Sequence, residues 1–206
     1  MATWDAWLPY VMVYVPSAPI PLVEQEVRRA SHEFFRRTRA WVEWLEPVLS
    51  SVTPLTEYAL TPPIGTDVVR IEQATIDGNQ VPISSSREIT QDWERQAMDA
   101  VQLVSRDLKT FRLGGIGADG SVVRVQAALV PSIASDGIPD ELFEKYVDDI
   151  AHGVRAKIAA IPETPFYNPD LYMVERSAFE AAIAAKSVDA WRGLTKNTRR
   201  VRLNLC

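Results

Sequence analysis

Residues 19–47 read PIPLVEQEVRRASHEFFRRTRAWVEWLEP, and the fold turns on where the helix in this stretch ends. Val23, Val27, Ala30, Phe34, Thr38, Trp41 and Leu45 follow one another at steps of four, three, four, four, three and four. That rhythm winds one apolar stripe along a helix. It predicts a single helix over 20–46, entered through Pro16, Pro19 and Pro21 and stopped by Pro47.

A second helical region follows much later. Over 139–191, Phe143, Val147, Ile150, Val154, Ile158 and Ile161 form an apolar stripe, and Pro162 and Pro165 break the chain. A second helix then carries Tyr172, Phe179 and Ile183. Pro139, with Asp140 and Glu141 after it, reads as a first helical position whose missing N–H costs nothing, with acids at the positive end of the helix dipole. Asn168 before Pro169 reads as the cap of the second helix. Alanines on several faces of that helix allow close approach of a neighbouring helix.

The middle of the chain changes period. TEYALTPP, DVVRIEQATI, QVPI, KTFRLGG and SVVRVQAALVP are short segments rich in Val, Ile, Thr and Tyr, as strands are. Asp77-Gly78-Asn79 is a hairpin-turn signal. Residues 90–104 read as a short helix or a loop packing Trp93, and residues 1–18 as extended or irregular. The predicted class is therefore α+β: a helical bundle of three long helices, with a small, mostly antiparallel β-rich insertion over 53–131 and an extended C-terminal tail. One domain spans 1–192, and 193–206 forms the extension.

Composition bounds the function. With 206 residues, 47% hydrophobic and 24% charged, the chain suits one globular domain. A net charge of −5 disfavours general binding to nucleic acid. The single cysteine, Cys206, allows no internal disulfide. Asp5 and Pro9 interrupt the apolar N-terminus, which has no basic leader, and the run Tyr10–Val15 is too short to span a bilayer. A soluble intracellular product, with no membrane association, is expected.

Reaction chemistry is not evident. GGIGADG (114–120) has the glycines of a phosphate loop, but it leads into a strand pattern and lacks a Lys followed by Ser or Thr, so it reads as a turn. His32 and His152 stand apart with no cysteine pair, a poor basis for a metal site. His152 reads as a surface contact to Asp148 one turn away. No nucleophile–base–orienter set is present. The expectation is no catalytic residue, no cofactor and no metal.

Interaction features are plainer. Arg29, His32, Arg36 and Arg39 lie at steps of three, four and three, with Arg28 and Arg37 beside them. Such a face is either solvated or meets an acidic neighbour, another copy of the chain or DNA. Trp4 and Trp7, at an irregular-looking N-terminus, read as residues that a partner buries. The tail carries Lys196, Arg199, Arg200, Arg202, Leu203 and Leu205, with no acid between Thr195 and Cys206. It reads either as a solvated end or as a segment that orders on a partner.

Taken in order, PSAPIPLVEQEVRRASHEFFRRTRAW, the segment VVRI…IDGNQV, and IPDELFEKYVDDIAHGVRAKIAAIPETPFYNPDLYMVERSAFEAAI resemble the head-to-tail adaptor (connector) proteins of tailed bacteriophages. The resemblance covers most of the chain and is weakest over 84–112. It implies a helical bundle with a β insert, assembled as a homo-oligomeric ring of twelve beneath the portal protein, in the neck of a virion assembled in the host cytoplasm. The ring lengthens the channel through which double-stranded DNA passes and offers a platform to a downstream neck or tail protein. The resemblance also implies that the tail residues reach the portal. Arg29, Arg36 and Arg39 then become subunit or channel contacts. Twelve copies would carry about −60 formal charges, a lumen that repels the duplex and keeps it mobile. Another neck component, of the tail-tube or terminator kind, and a small nucleotide-using enzyme built on GGIGADG are the alternatives.

Overall fold

A computed structural model describes residues 1–50, 57–85, 101–114 and 120–192. The N-terminal segment holds β1 (Ala2–Thr3), a 3-10 turn (Trp4–Trp7) and α1 (Leu8–Val11). The long helix α2 (Ile20–Thr38) follows, then strands β2 (Val42–Trp44), β3 (Val48–Leu49), β4 (Glu57–Ala59), β5 (Thr66–Ile76), β6 (Asn79–Val81) and β7 (Ile83–Ser85). The remaining strands are β8 (Gln102–Ser105), β9 (Thr110–Gly114), β10 (Val122–Pro131) and β11 (Gly137–Ile138), and α3 (Asp140–Ala159) and α4 (Pro169–Arg192) complete the order.

This overturns the expected class. The described residues hold four α-helices and eleven strands in three sheets, not a bundle of three long helices with a small β insertion. The principal sheet runs β2-β10-β5-β6, with β3 also on β10, and a second sheet runs β4-β9-β8-β7. A two-stranded pair joins β1 to β11, closing the N-terminus onto the entry to α3.

The largest departure lies in the opening stretch. α2 ends at Thr38, and Arg39 takes a left-handed conformation at φ 53°. Beyond it the chain becomes β2, antiparallel to β10 from Val42↔Ala128 to Trp44↔Gln126. The bonds Leu129 N–H to Trp41 O and Leu45 N–H to Val125 O, both 2.8 Å, flank it. Trp41 and Leu45 are buried while Val42 and Trp44 are exposed. A spacing of four is even, so it also puts two residues on one face of a strand. The helical stripe and the strand stripe coincide there, and pairing with β10 decides between them.

β10 is the spine of the principal sheet. Its first half alternates, with Val123 and Val125 buried and Arg124 exposed, and from Ala127 to Pro131 it is buried throughout. That is the pattern of a strand open on one face and then covered on both. α2 packs against this strand, and α3 and α4 pack on α2. Two irregularities against β5, at Gln126/Ala127 and Ala128/Leu129, interrupt the register. The hairpin between β5 and β6 turns at Asp77 (φ 49°) and Gly78 (φ 83°), both left-handed, as a tight two-residue turn requires. The Asp77 carboxylate accepts the Val122 N–H at 2.8 Å, tying the turn to β10.

After β6 the chain passes Pro82 into the second sheet, where β7 runs parallel to β8. Tyr58 stacks on Phe111 at 5.2 Å there, and both belong to the same apolar core as the helices. Of residues 90–104, the described part enters strand β8 rather than a helix.

The helices after β11 begin where sequence signals put them, to within a residue. Pro139 is the cap itself rather than the first helical residue. Asn168 Oδ1 accepts the Leu171 N–H at 3.0 Å. Gly153 lets α3 and α4 close up: a Cβ there would lie 2.7 Å from the Phe179 ring.

Candidate interaction surface

The N-terminal segment is part of the core. Trp4 and Trp7 are buried, Trp7 meets Phe143 edge-on at 4.6 Å, and Trp4 donates its Nε1–H to Ser135 O at 2.7 Å. The expectation that a partner buries these two rings is corrected, because α2 and α3 already do so. Trp7 Nε1 itself is buried with no partner among the described residues. The signal for this docking was the 3–4 spacing Trp4-Trp7-Val11, all buried and on one side of the turn.

Beneath that segment lies a buried ion cluster that spacing did not reveal. Arg155 Nε donates to Glu175 Oε2 at 2.8 Å, and Arg155 Nη1 reaches Tyr10 O at 3.1 Å. The guanidinium lies over the Tyr14 ring at 4.2 Å. His152 Nδ1 sits 2.6 Å from the same Glu175 oxygen and 2.8 Å from Arg155 Nη2. It can donate to the carboxylate or accept from the guanidinium, not both at once. His152 is thus an inter-helix residue and not the i, i+4 partner of Asp148.

A second network ties the three long helices at their surface. Glu33 on α2 accepts from Lys157 on α3 at 2.8 Å and lies within 3.3 Å of Arg37 and 3.6 Å of Arg176. Glu180 on α4 receives Arg37 and Arg176, each at 2.5 Å. Burial raises the Glu33 pKa, but the hydrogen bond and charge of Lys157, with Arg176 and Arg37, bring it below the ordinary value. Glu180 is lowered chiefly by its Arg37 hydrogen bond. A lowered folded-state pKa stabilises fully above the unfolded value, and that stability is lost as pH falls through the folded one. Asp149, raised mainly by burial, acts with the opposite sign and gains as pH falls. Glu180→Gln is therefore expected to lower the melting temperature near neutral pH, with the gap to wild type closing as acid titrates the network. A gap independent of pH between neutral and strongly acidic buffer would contradict this assignment.

Between α2, α3 and α4 a cleft of about 570 Å³ is lined by Glu26, Arg29, Ala156, Lys157, Tyr172 and Arg176, among others. Its cations are already matched, Arg29 by Glu26 at 2.8 Å and Lys157 and Arg176 by Glu33. Each of the three has a carboxylate at hand, with Lys157 and Arg176 sharing Glu33 and Arg176 also meeting Glu180. Among the described residues no group of three or more His, Cys, Asp or Glu side chains could hold a metal, and no helix is long and apolar enough to cross a membrane.

The arginines singled out in the sequence divide. Arg29 is paired with Glu26, and Arg39, past the end of α2, is paired with Glu72 at 3.3 Å. Arg36 is exposed with no ion-pair partner among the described residues. Arg28 is exposed too, its guanidinium 6.0 Å from the Trp4 ring centre. Lys196, Arg199, Arg200, Arg202, Leu203 and Leu205 lie outside the described residues, as do most of GGIGADG and Trp93.

Apolar groups also reach the surface. Ile64 and Ile133 are almost wholly exposed on adjacent turns, joined by Ser132 N–H to Gly65 O at 2.9 Å. On α4, Met173, Val174 and Val188 are exposed on a face that carries several alanines. Compared with known protein families and with curated proteins, the chain matches none.

Proposed function

We propose that this chain is a structural head-to-tail adaptor of a tailed bacteriophage, a homo-oligomeric ring that binds the portal, extends the DNA channel and receives the next neck or tail protein. The sheets exceed what the resemblance implies, so the proposal rests on the ordered motifs and on the surface rather than on the fold. The observation that carries it is the distribution of polar groups. The cations of the cleft meet Glu26 and Glu33, while Arg28 and Arg36 on α2 are exposed with no ion-pair partner among the described residues. A surface of that kind recognises other macromolecules by shape and charge. The net charge of −5 suits a wall past which DNA must slide.

In this reading the C-terminal extension, with Lys196, Arg199, Arg200, Arg202, Leu203 and Leu205, is the portal contact. Deleting Thr195–Cys206 should leave the melting temperature unchanged and abolish co-sedimentation with portal rings. Imaging of the particle neck should place the chain directly beneath the portal. Full co-sedimentation after the deletion removes the tail from the portal contact. Absence of the chain from purified virions removes the function.

A further inference from the structure

Two stripes of opposite charge, neither with an ion-pair partner among the described residues, face outward from α2 and α3. On α2, Arg28, His32 and Arg36 recur every four residues on the side away from the core. On α3, Glu141, Glu144 and Asp148 recur at three and four, all exposed, and none has an ion-pair partner among the described residues. At 1.5 Å per residue the stripes are about 12 and about 10 Å long, so their lengths match. Helical spacing places the acidic stripe opposite Tyr146 and Ile150, and Tyr146 is the residue that meets Phe34 and Phe35 of α2. The acidic stripe therefore points away from α2, and one copy cannot close its two stripes on each other.

We infer that the two stripes are the halves of one contact between copies, the α2 arginines of each chain docking on the α3 carboxylates of the next. The contact deepens the ring reading above and rests on it for closure into a ring. A duplex would satisfy only the basic stripe, and the acidic stripe and the net negative charge would repel it. A second copy satisfies both. Because the joined surfaces differ, the contact is head-to-tail and repeats from copy to copy. Lys145, the cation beside the acidic stripe, lies over the Tyr146 ring at 5.1 Å.

Charge reversal tests this. Sedimentation velocity of the full chain in low salt should show concentration-dependent association that added salt reverses. The variants R28E/R36E and E144K/D148K should each fold with wild-type circular dichroism, yet associate at least about tenfold more weakly, since attraction becomes repulsion across the contact. Mixed in equal amounts, they should associate again, each reversed stripe meeting its complement, a recovery that merely misfolded variants cannot give. A wild-type chain that stays monomeric in low salt up to its solubility overturns the inference, as does a mixture that fails to recover. Retention of a DNA duplex by the wild type in place of self-association overturns it in favour of the duplex. Neck rings indifferent to the reversals would sink the contact and leave the adaptor reading standing. Charge-reversible association by a chain absent from virions would do the converse.

Discussion

Glu175→Ala is expected to destabilise the protein by roughly 3–5 kcal/mol, the cost of leaving a buried guanidinium without its carboxylate. Arg155 and Glu175 are 6% and 5% exposed, so solvent cannot replace the lost partner. The loss spreads, because Arg155 also holds the Tyr10 carbonyl and supports the Tyr14 ring, which anchor the N-terminal segment. Arg155→Met with Glu175→Leu removes both charges and should recover much of the stability, since an apolar pair of similar volume carries no desolvation penalty. Urea midpoints of the wild type, the single variant and the double variant decide it. A single variant within about 1 kcal/mol of wild type, the upper worth of a surface pair, would mean that the cluster is solvated and does not anchor the segment.

The cluster illustrates what sequence could not supply. Arg155 and Glu175 are separated by the α3–α4 corner, and Tyr10 lies at the other end of the chain. Nothing in local spacing links them; only the packing of three elements does. Helix starts were legible because caps and first-turn acids act within a few residues, as Asn168 and Asp140 show. The Asp77-Gly78 hairpin was legible for the same reason. The end of α2 was not, because Trp41 and Leu45 satisfy both periods and the decision is made by β10, some eighty residues later by its number in the chain.

The extent of the sheets was missed on similar grounds. β2 and β3 are three and two residues long, and β11 is two, too short for any alternation to register. Each exists because a partner strand offers its edge, and those partners lie far along the chain. Among the site residues, the arginine-rich face of α2 was visible in its spacing. Which arginines stay unpaired was not, since Glu26 and Glu72 reach Arg29 and Arg39 only once the backbone is set. The acidic stripe on α3 is as regular in the sequence as the basic one, and became informative once the faces of α3 turned toward α2 were known.

Phe34→Ala should cost about 3–5 kcal/mol, the range for removing a fully buried aromatic ring that its surroundings cannot refill. Phe34 stands where the three long helices meet. Its ring lies 5.5 Å from Phe35 on α2, 5.2 Å from Tyr146 on α3 and 6.3 Å from Phe179 on α4. Phe179 is itself pressed against Gly153, so α4 cannot slide inward without a backbone clash at α3. Tyr146 is held from outside by Lys145 and Lys186. The cavity would therefore persist instead of collapsing, which puts the cost at the upper part of the range. Phe34→Leu, which keeps most of the volume, should cost less than half as much. Equal costs for the two variants, measured by chemical denaturation, would show that the site relaxes freely and that the three helices are not locked through this ring.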